Sequence, residues 1–248
     1  MAEWFEDESF WSELYPHMFS DERMEIAGEQ VEKALALAGF QGGAVLDLCC
    51  GPGRHSVELA RRGIQVTAVD RTEYLLNKAK ERAAASGLTI EFIQEDMRRF
   101  VRPGAFALAL NLFTSFGYFD KKGEDLQTLR NIYESLQPGG ALLMDIMGKE
   151  IVARGMQLTA SSPGPDGSLL VERHEIFDGW SRMRNEWILI KGEKARSFKF
   201  HHTLYSGQEL KILFESAGFA EVSLFGDLAG SEYGWEASRL IVVGRKSI

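Results

Sequence analysis

Between residues 44 and 147, short apolar segments alternate with longer segments in which apolar residues recur every three or four positions. The first pattern predicts buried strands and the second predicts helices. Predicted strands cover 44–50, 64–70, 89–96, 106–113 and 141–147, and predicted helices cover 56–62, 72–87 and 124–137. Because apolar strands that alternate with helices form parallel sheets covered on both faces, this part predicts a doubly wound α/β core.

The pattern changes after residue 147. A turn-rich segment, 158–168, precedes three segments that alternate apolar and polar residues without helices between them. These segments are 169–177, 180–190 and 195–205. Because Asp178-Gly179 and Lys191-Gly192 stand between them, we predict an antiparallel β-meander joined by tight turns. Two further apolar segments, 221–227 and 239–246, predict the last two strands of the main sheet.

Residue types that start helices support two of the predicted helices. Thr72 stands where the helix over 72–87 needs an N-cap. In the helix predicted over 206–218, Ser206 and Glu209 have the spacing of a capping box.

The first 22 residues are polar but rich in aromatic side chains. The aromatic residues are Trp4, Phe5, Phe10, Trp11, Tyr15 and Phe19. So much apolar surface is untypical of a disordered tail, and a helix is predicted over 23–38. Because the core helices already cover both faces of the sheet, we expect residues 1–38 to form a helical lid over the open end of the sheet, where Tyr15 and Phe19 could share one helix face.

Length and composition place these elements in one domain. The chain has 248 residues, of which 45% are hydrophobic, and no change in composition marks a second core. We expect a single domain over 1–248, with the lid at 1–38 and a ligand-binding core at 40–147. The antiparallel insertion covers 168–205, and the C-terminal helix and strands cover 206–248.

The net charge restricts the partners. A formal charge of −8 and a pI of about 5.3 disfavour binding to nucleic acid or anionic membranes, where basic faces supply most of the affinity. The acidic start lacks the features of a signal peptide, and no apolar run approaches the ~18 residues of a membrane helix. We expect a soluble cytoplasmic protein whose partner is a small molecule; its oligomeric state is not predicted.

Cys49 and Cys50 are the only cysteines, and they are adjacent. Two thiols cannot complete a four-ligand zinc site, and the five histidines have no metal-ligand spacing around them. We therefore expect no metal, and interpret the cysteines as small residues at a strand end.

Glycines and carboxylates follow the predicted strands. Gly51-Pro52-Gly53 comes after the first strand and Asp70 ends the second, as in sites that bring a nucleotide against the backbone. At this point a nicotinamide cofactor remains possible. Arg54 and His55, next in the chain, could meet a carboxylate of the ligand or be ordinary residues of a helix start.

Asp96-Met97 at the end of the third strand favours another cofactor. VLDLCCGPGRH (45–55) resembles the first motif of the class I S-adenosylmethionine-dependent methyltransferases, and LQPGGALLMD (136–145) resembles their signature before strand five. The resemblance covers residues 40–147 in order. It implies a Rossmann-like methyltransferase fold: a doubly wound, seven-stranded, mostly parallel sheet with the antiparallel insertion after strand five and the N-terminal helical lid.

The resemblance also implies roles for individual residues. Asp47 and the backbone of 49–53, with Cys49, Gly51 and Gly53, would hold the methionine part of the cofactor. Asp70, followed by Arg71, would bind the ribose.

The next strand ends would complete this site. Asp96 would accept from the adenine amino group, Met97 would pack on the ring, and Asn111 would line the channel beside the sulfonium. Tyr15 of the lid is also assigned to the cofactor. Cys49 replaces a usual glycine, so the loop must accept a Cβ there.

The segment after strand four indicates the type of acceptor. NLFTSFGYFD (111–120) lacks the proline motif of DNA amino-methylating enzymes. Its aromatic residues suggest an apolar pocket instead. The predicted pocket residues are Phe19, Phe113, Phe116, Tyr118 and His202.

These features resemble the branch of the family that methylates small molecules. We therefore expect N- or O-methylation of a small-molecule acceptor by in-line displacement, with S-adenosylhomocysteine as the product. His202 and Tyr118 are the candidate catalytic residues, since a neutral histidine can act as a general base. The alternatives are a cofactor-binding regulatory or scaffolding protein without turnover, and a nicotinamide-dependent oxidoreductase.

Overall fold

The computed structural model of the protein describes residues 3–248, so the first two residues of the predicted lid lie outside the described part. Within it, the strands are β1 (Val45–Leu48), β2 (Val66–Asp70), β3 (Glu91–Gln94), β4 (Phe106–Asn111), β5 (Leu136–Ile146), β6 (Thr159–Pro163), β7 (Leu169–Phe177), β8 (Arg182–Lys191), β9 (Lys194–Thr203), β10 (Glu221–Phe225) and β11 (Leu240–Arg245). The α-helices are α1 (Glu8–Met18), α2 (Asp21–Glu25), α3 (Ala27–Leu37), α4 (Arg54–Arg61), α5 (Glu73–Ala85), α6 (Lys122–Ser135), α7 (Lys149–Gly155) and α8 (Gly207–Ala217).

The described strands form a seven-stranded main sheet with the order 3-2-1-4-5-11-10. Strands β1 to β5 are parallel, whereas β11 runs antiparallel to β5 and β10 antiparallel to β11. This confirms the predicted doubly wound, mostly parallel sheet of the Rossmann-like methyltransferase type. Because β1 to β4 are parallel, the loops that follow them meet at one edge of the sheet.

Strands β6 to β9 form a second, antiparallel sheet after β5. The predicted meander is confirmed over β7, β8 and β9. The interpretation of 158–168 as a loop is wrong, because β6 pairs with β7 at the edge of this sheet. Its sequence, TASSP, is mostly exposed, so it lacks the apolar alternation that marks a half-buried strand. Helix α7 was not predicted either.

Two predicted helix starts differ in the structure. The helix expected over 23–38 is divided into α2 and α3 at Ile26. At α5, the Thr72 side chain makes no capping hydrogen bond. The carboxylate of Glu8 on α1 instead accepts from the backbone N–H groups of Glu73 and Tyr74, at 3.1 and 3.2 Å. A cap supplied from another element is not visible in the local sequence.

The aromatic leader belongs to the hydrophobic core. Phe5, Phe10, Trp11 and Leu14 are buried in the same cluster as residues of the main sheet and of the second sheet. A short 3₁₀ turn (Trp4–Glu6) and α1 thus lie between the two sheets, which agrees with the predicted N-terminal helices.

The predicted capping box of α8 is present, with Ser206 and Glu209 each accepting from the other's backbone N–H. Ser206→Ala should therefore lower the free energy of unfolding by about 1 kcal/mol, measured by urea denaturation. Ser216→Ala, near the exposed end of the same helix, is the matched control and should change it by less than about 0.5 kcal/mol. Equal effects of the two substitutions would show that the cap contributes nothing.

Candidate functional site

A cavity of about 400 Å³ lies where the carboxyl ends of β1 to β4 face the lid and the second sheet. This volume is within the ~300–1,000 Å³ typical of small-molecule sites. The predicted site residues on its wall are Phe19, Cys49, Gly51, Asp70, Arg71, Asp96, Met97, Phe113, Tyr118 and His202. Arg54 and His55 also line it. One cavity therefore joins most of the predicted cofactor residues to most of the predicted pocket residues.

The loop after β1 is tightly turned. Cys49 and Gly51 both have left-handed backbone, with φ of 60° and 56°. Gly53 has φ of 75°, and a Cβ there would lie 2.8 Å from the Cβ of Ala79 on α5. The loop therefore accepts a Cβ at Cys49 at the cost of an uncommon conformation, while Gly53 allows α4 and α5 to approach closely.

Asp70 is a buried carboxylate without a cationic partner among the described residues. It accepts from the backbone N–H groups of Gly51, at 2.8 Å, and Thr72, at 2.9 Å. Burial raises the pKa of its carboxyl group. A carboxylate has about four acceptor positions, so Asp70 can still accept from two neighbouring hydroxyl groups. This arrangement fits a ribose.

Asp96 has a different environment, because it is bound by two arginines. Arg98 donates to both of its oxygens, at 2.6 to 3.1 Å, and Arg71 donates at 2.9 Å. Burial disfavours the ionised form, but the hydrogen bonds and charges of Arg98 and Arg71 outweigh it and lower the pKa of Asp96. The same arginines reach the leader, since Arg71 contacts Glu6 and Arg98 contacts Glu3.

The opposite wall of the cavity is aromatic. Trp4 lies between Tyr118 and Phe200, with ring centroids 4.8 and 4.9 Å away, and Phe200 contacts Trp187 at 5.1 Å. The Tyr118 hydroxyl donates to the carbonyl of Thr114 at 2.8 Å. Burial raises the pKa of Tyr118.

A polar group stands beside the aromatic wall. The amide of Asn185 contacts Nδ1 of His174 at 2.7 Å and Nδ1 of His202 at 3.3 Å. Burial lowers the pKa of His202 to about 4, so His202 is neutral at pH 7. Of these residues, only His202 was a predicted site residue.

Five predicted site residues do not line the cavity. They are Tyr15, Asp47, Gly53, Asn111 and Phe116. The hydroxyl of Tyr15 accepts from Arg82, outside the cavity wall. Phe116 is fully buried against Tyr205, because the chain turns inward after β4.

The other three lie behind the cofactor loop. Asp47 accepts from the hydroxyl of Ser56, and burial raises its pKa to about 6. Asn111 donates to the carbonyl of Leu48 at 3.2 Å. Gly53 packs on α5. These three residues therefore pack against the loop and the helices behind it, and not on the cavity wall.

Sequence reasoning missed five residues of the second sheet that line the cavity. They are His174, Met183, Asn185, Trp187 and Phe200. A signal was available for three of them, because residues 183, 185 and 187 share one face of β8. Which face meets the cavity depends on how the second sheet folds over the first, and local periodicity does not contain that information.

The two cysteine thiols are free and lie next to each other after β1. Burial raises the pKa of both thiols well above its ordinary value, and they are not joined in a disulfide. Within residues 3–248, no group of three or more histidine, cysteine and acidic side chains could hold a metal ion. No helix in that part of the chain is both long and apolar enough to span a bilayer.

The chain is similar in sequence to known methyltransferases. The methyltransferase domain family Methyltransf_25 matches residues 45–140. The ubiquinone biosynthesis O-methyltransferase of Caulobacter vibrioides is 30% identical over 159 residues, which are 61% of each chain. The glycine/sarcosine N-methyltransferase of Halorhodospira halochloris is 25% identical over 186 residues, 74% of this chain and 68% of that protein.

The fold is similar to that of a solved methyltransferase structure. The CcbJ methyltransferase of Streptomyces caelestis superposes with a TM-score of 0.78 over 90% of both chains, at 20% identity. The family match over residues 45–140 includes the first motif, the end of β2 and the end of β3, where the glycine loop, Asp70 and Asp96 lie. These similarities decide against the nicotinamide-dependent alternative. Residues 45–140 thus match a methyltransferase domain, and the chain is similar to S-adenosylmethionine-dependent methyltransferases, among them enzymes that methylate small molecules.

Proposed function

We propose that this protein transfers a methyl group from S-adenosylmethionine to a nitrogen or oxygen atom of a small molecule that lies against the aromatic wall. The proposal depends above all on one observation. A single cavity connects Gly51, Asp70 and Met97 with Trp4 and Phe200. The named relatives support both atoms as acceptors, since one is an O-methyltransferase and another an N-methyltransferase.

The cofactor would be held at the edge of the main sheet. We infer that the backbone around Gly51 meets its methionine part, that Asp70 accepts from the ribose hydroxyls, and that Met97 packs on the adenine. Asp96 can accept from the adenine amino group only by sharing its oxygens with Arg71 and Arg98, which already donate to them.

S-adenosylmethionine, when bound, supplies an electrophilic methyl group, so methyl transfer by in-line displacement needs no metal from the chain. The protein's task is to align the acceptor and to exclude water, and orientation can lower a barrier by ~7–11 kcal/mol. Aromatic faces such as Tyr118 also attract a sulfonium cation. The buried lid residues Phe5 and Phe10 separate this space from solvent.

The function is tested by turnover. Purified protein with S-adenosylmethionine and a mixed pool of small amines and hydroxyl compounds should form S-adenosylhomocysteine, and mass spectrometry should find one added methyl group on a pool member. Formation no faster than without the pool would contradict small-molecule methylation and favour a regulatory or scaffolding role.

Asp70→Asn should raise the Kd for S-adenosylmethionine roughly 10- to 100-fold. The reason is the loss of hydrogen bonds to a charged acceptor, each worth ~1.5–3 kcal/mol. Isothermal titration calorimetry measures the change. Asp178→Asn, at an exposed turn of the second sheet, is the matched control and should leave the Kd unchanged within twofold. An unchanged Kd for the Asp70 variant would remove this residue from the cofactor site.

Glu6 and Glu8 connect the leader to the cofactor edge through Arg71 and the start of α5. Replacing both by alanine should raise the dissociation rate of the cofactor about tenfold. An ion pair and a helix cap are together worth about 1.4 kcal/mol, which is a factor of ten. Stopped-flow displacement measures the rate.

The matched control for the lid variant is Glu22→Ala with Glu25→Ala on the exposed helix α2, which should not change the rate. Hydrogen exchange should also show that the cofactor protects residues 10–20 in the unmodified protein. If the lid does not influence cofactor binding, the cofactor should dissociate equally fast from both double variants. The cofactor should then also not protect residues 10–20 from hydrogen exchange.

Cys49→Gly with Cys50→Ala should keep cofactor affinity within tenfold, because the thiols are protonated and no metal-binding group forms around them within residues 3–248. Glycine also suits the left-handed φ at position 49. Calorimetry tests the affinity, and elemental analysis tests for metal. Stoichiometric zinc in the unmodified protein would show that the thiols bind metal. Loss of cofactor binding in a folded double variant would show that the thiols are needed for that binding.

A further inference from the structure

The second sheet carries a connected polar group on a wall that is otherwise apolar. His174 on β7 lies opposite Asn185 on β8, and His202 lies on the neighbouring strand β9. All three line the cavity, and Asn185 is only 2% exposed. A buried amide between two imidazoles fixes which ring atoms carry protons.

The hydrogen bonds give the two histidines opposite tautomers. The amide oxygen of Asn185 can only accept, so Nδ1–H of His174 donates to it at 2.7 Å. The amide nitrogen can only donate, so Nδ1 of His202 accepts from it at 3.3 Å. Neutral His174 therefore keeps a lone pair on Nε2, whereas neutral His202 carries its proton on Nε2. One ring can take a proton from a bound molecule and the other can donate a hydrogen bond to it.

The rest of the wall suits an oxygen acceptor better than an amine. Among the described residues, the acidic side chains that line the cavity are Asp70, Glu95 and Asp96, which all lie at the ends of β2 and β3. None stands on the second sheet's side of the cavity to hold an ammonium group. The indole N–H groups of Trp4 and Trp187 are buried and have no acceptor in the described part of the chain. Buried donors of this kind cost ~1–3 kcal/mol each unless an acceptor satisfies them.

The aromatic rings restrict the shape of the acceptor. Trp4, Tyr118, Trp187 and Phe200 form edge-to-face or tilted contacts with one another. A flat unsaturated ring packs well on such surfaces.

We propose that the acceptor is an aromatic hydroxyl compound and that His174 is the general base that removes its proton, with His202 as a hydrogen-bond donor and Asn185 as a positioning residue. This deepens the proposed function and rests on it. Of the two candidate catalytic residues from the sequence, His202 thus becomes a donor, and Tyr118 is engaged by Thr114.

The step balances without a further reactant. The O–H bond of the acceptor breaks, its proton goes to Nε2 of His174, and its electron pair forms the new bond to the methyl carbon. The electron pair of the broken sulfur–methyl bond returns to sulfur. His174 then releases the proton to solvent. General bases of this kind contribute typically 10²- to 10⁴-fold to a rate.

The tautomers can be measured without turnover. Long-range ¹H–¹⁵N spectra of the full chain, with each histidine assigned by single substitution, should show Nδ1–H for His174 and Nε2–H for His202. In Asn185→Asp the central side chain offers only acceptors, so His202 should gain a proton on Nδ1. The opposite tautomers in the unmodified protein would overturn the assignment of His174 as base.

Kinetics tests the role itself with two phenols at a mildly alkaline pH, where 4-nitrophenol is ionised and 4-methylphenol is not. His174→Gln should lower kcat/KM at least 100-fold for 4-methylphenol but less than fivefold for 4-nitrophenol, with an unchanged Kd for the cofactor. His201→Gln, on the opposite face of β9 beside Asp120, is the matched control and should change neither value more than twofold. Equal losses of kcat/KM for both phenols would show that His174 is not the general base.

Tyramine distinguishes this proposal from the broader one, because it offers an aromatic hydroxyl and an amine in one molecule. O-methyltyramine as the product supports the proposal. N-methyltyramine, or methylation of amines alone in the mixed pool, would overturn the acceptor class while the proposed methyltransferase function stands. If S-adenosylhomocysteine does not form with any acceptor, this result would contradict the proposed methyltransferase function itself.

Discussion

The hydrogen bond from the backbone N–H of Gly51 to the carboxylate of Asp70 is the constraint on which the site depends. It joins the loop after β1 to the end of β2, and it forms because the loop turns through left-handed backbone at Cys49 and Gly51. Asp70 is thereby held in a buried position by the backbone N–H groups of Gly51 and Thr72. Asp96, at the neighbouring strand end, differs because two arginines, Arg71 and Arg98, neutralise its charge.

The N-terminal helices and the second sheet cover this charged edge. Helices cover the two faces of a doubly wound sheet but leave the strand ends open. Here the open end is covered by Phe5, Phe10 and Trp11 from one side and by the aromatic face of β8 and β9 from the other. The proposed acceptor space is therefore lined by the leader and the second sheet together with residues that follow β4, such as Phe113 and Tyr118.

Much of the fold was predictable, because β1 to β5 and their helices have strong apolar periodicity. The meeting of Gly51, Asp70 and Asp96 was also predictable. Each follows or ends a strand of the parallel sheet, and such strand ends lie at one edge. Two failures have a common cause, because Glu8 caps α5 from 65 residues away in sequence and Phe116 packs on the distant Tyr205. Strand β6 was missed for another reason, since it is a polar edge strand without apolar alternation. His174 and Asn185 were missed because their role depends on a pairing across strands.

The position of Glu3 has a practical consequence for handling this protein. Its carboxylate contacts Arg98 at 2.8 Å, and Arg98 in turn holds Asp96 at the cofactor edge. A charge introduced beside Glu3, for example in a purification tag, therefore alters the balance of this ion pair and of Asp96 behind it. Ile248 is fully exposed, lies near Gly139 in β5 and does not line the cavity, so a fusion there leaves this edge of the sheet untouched.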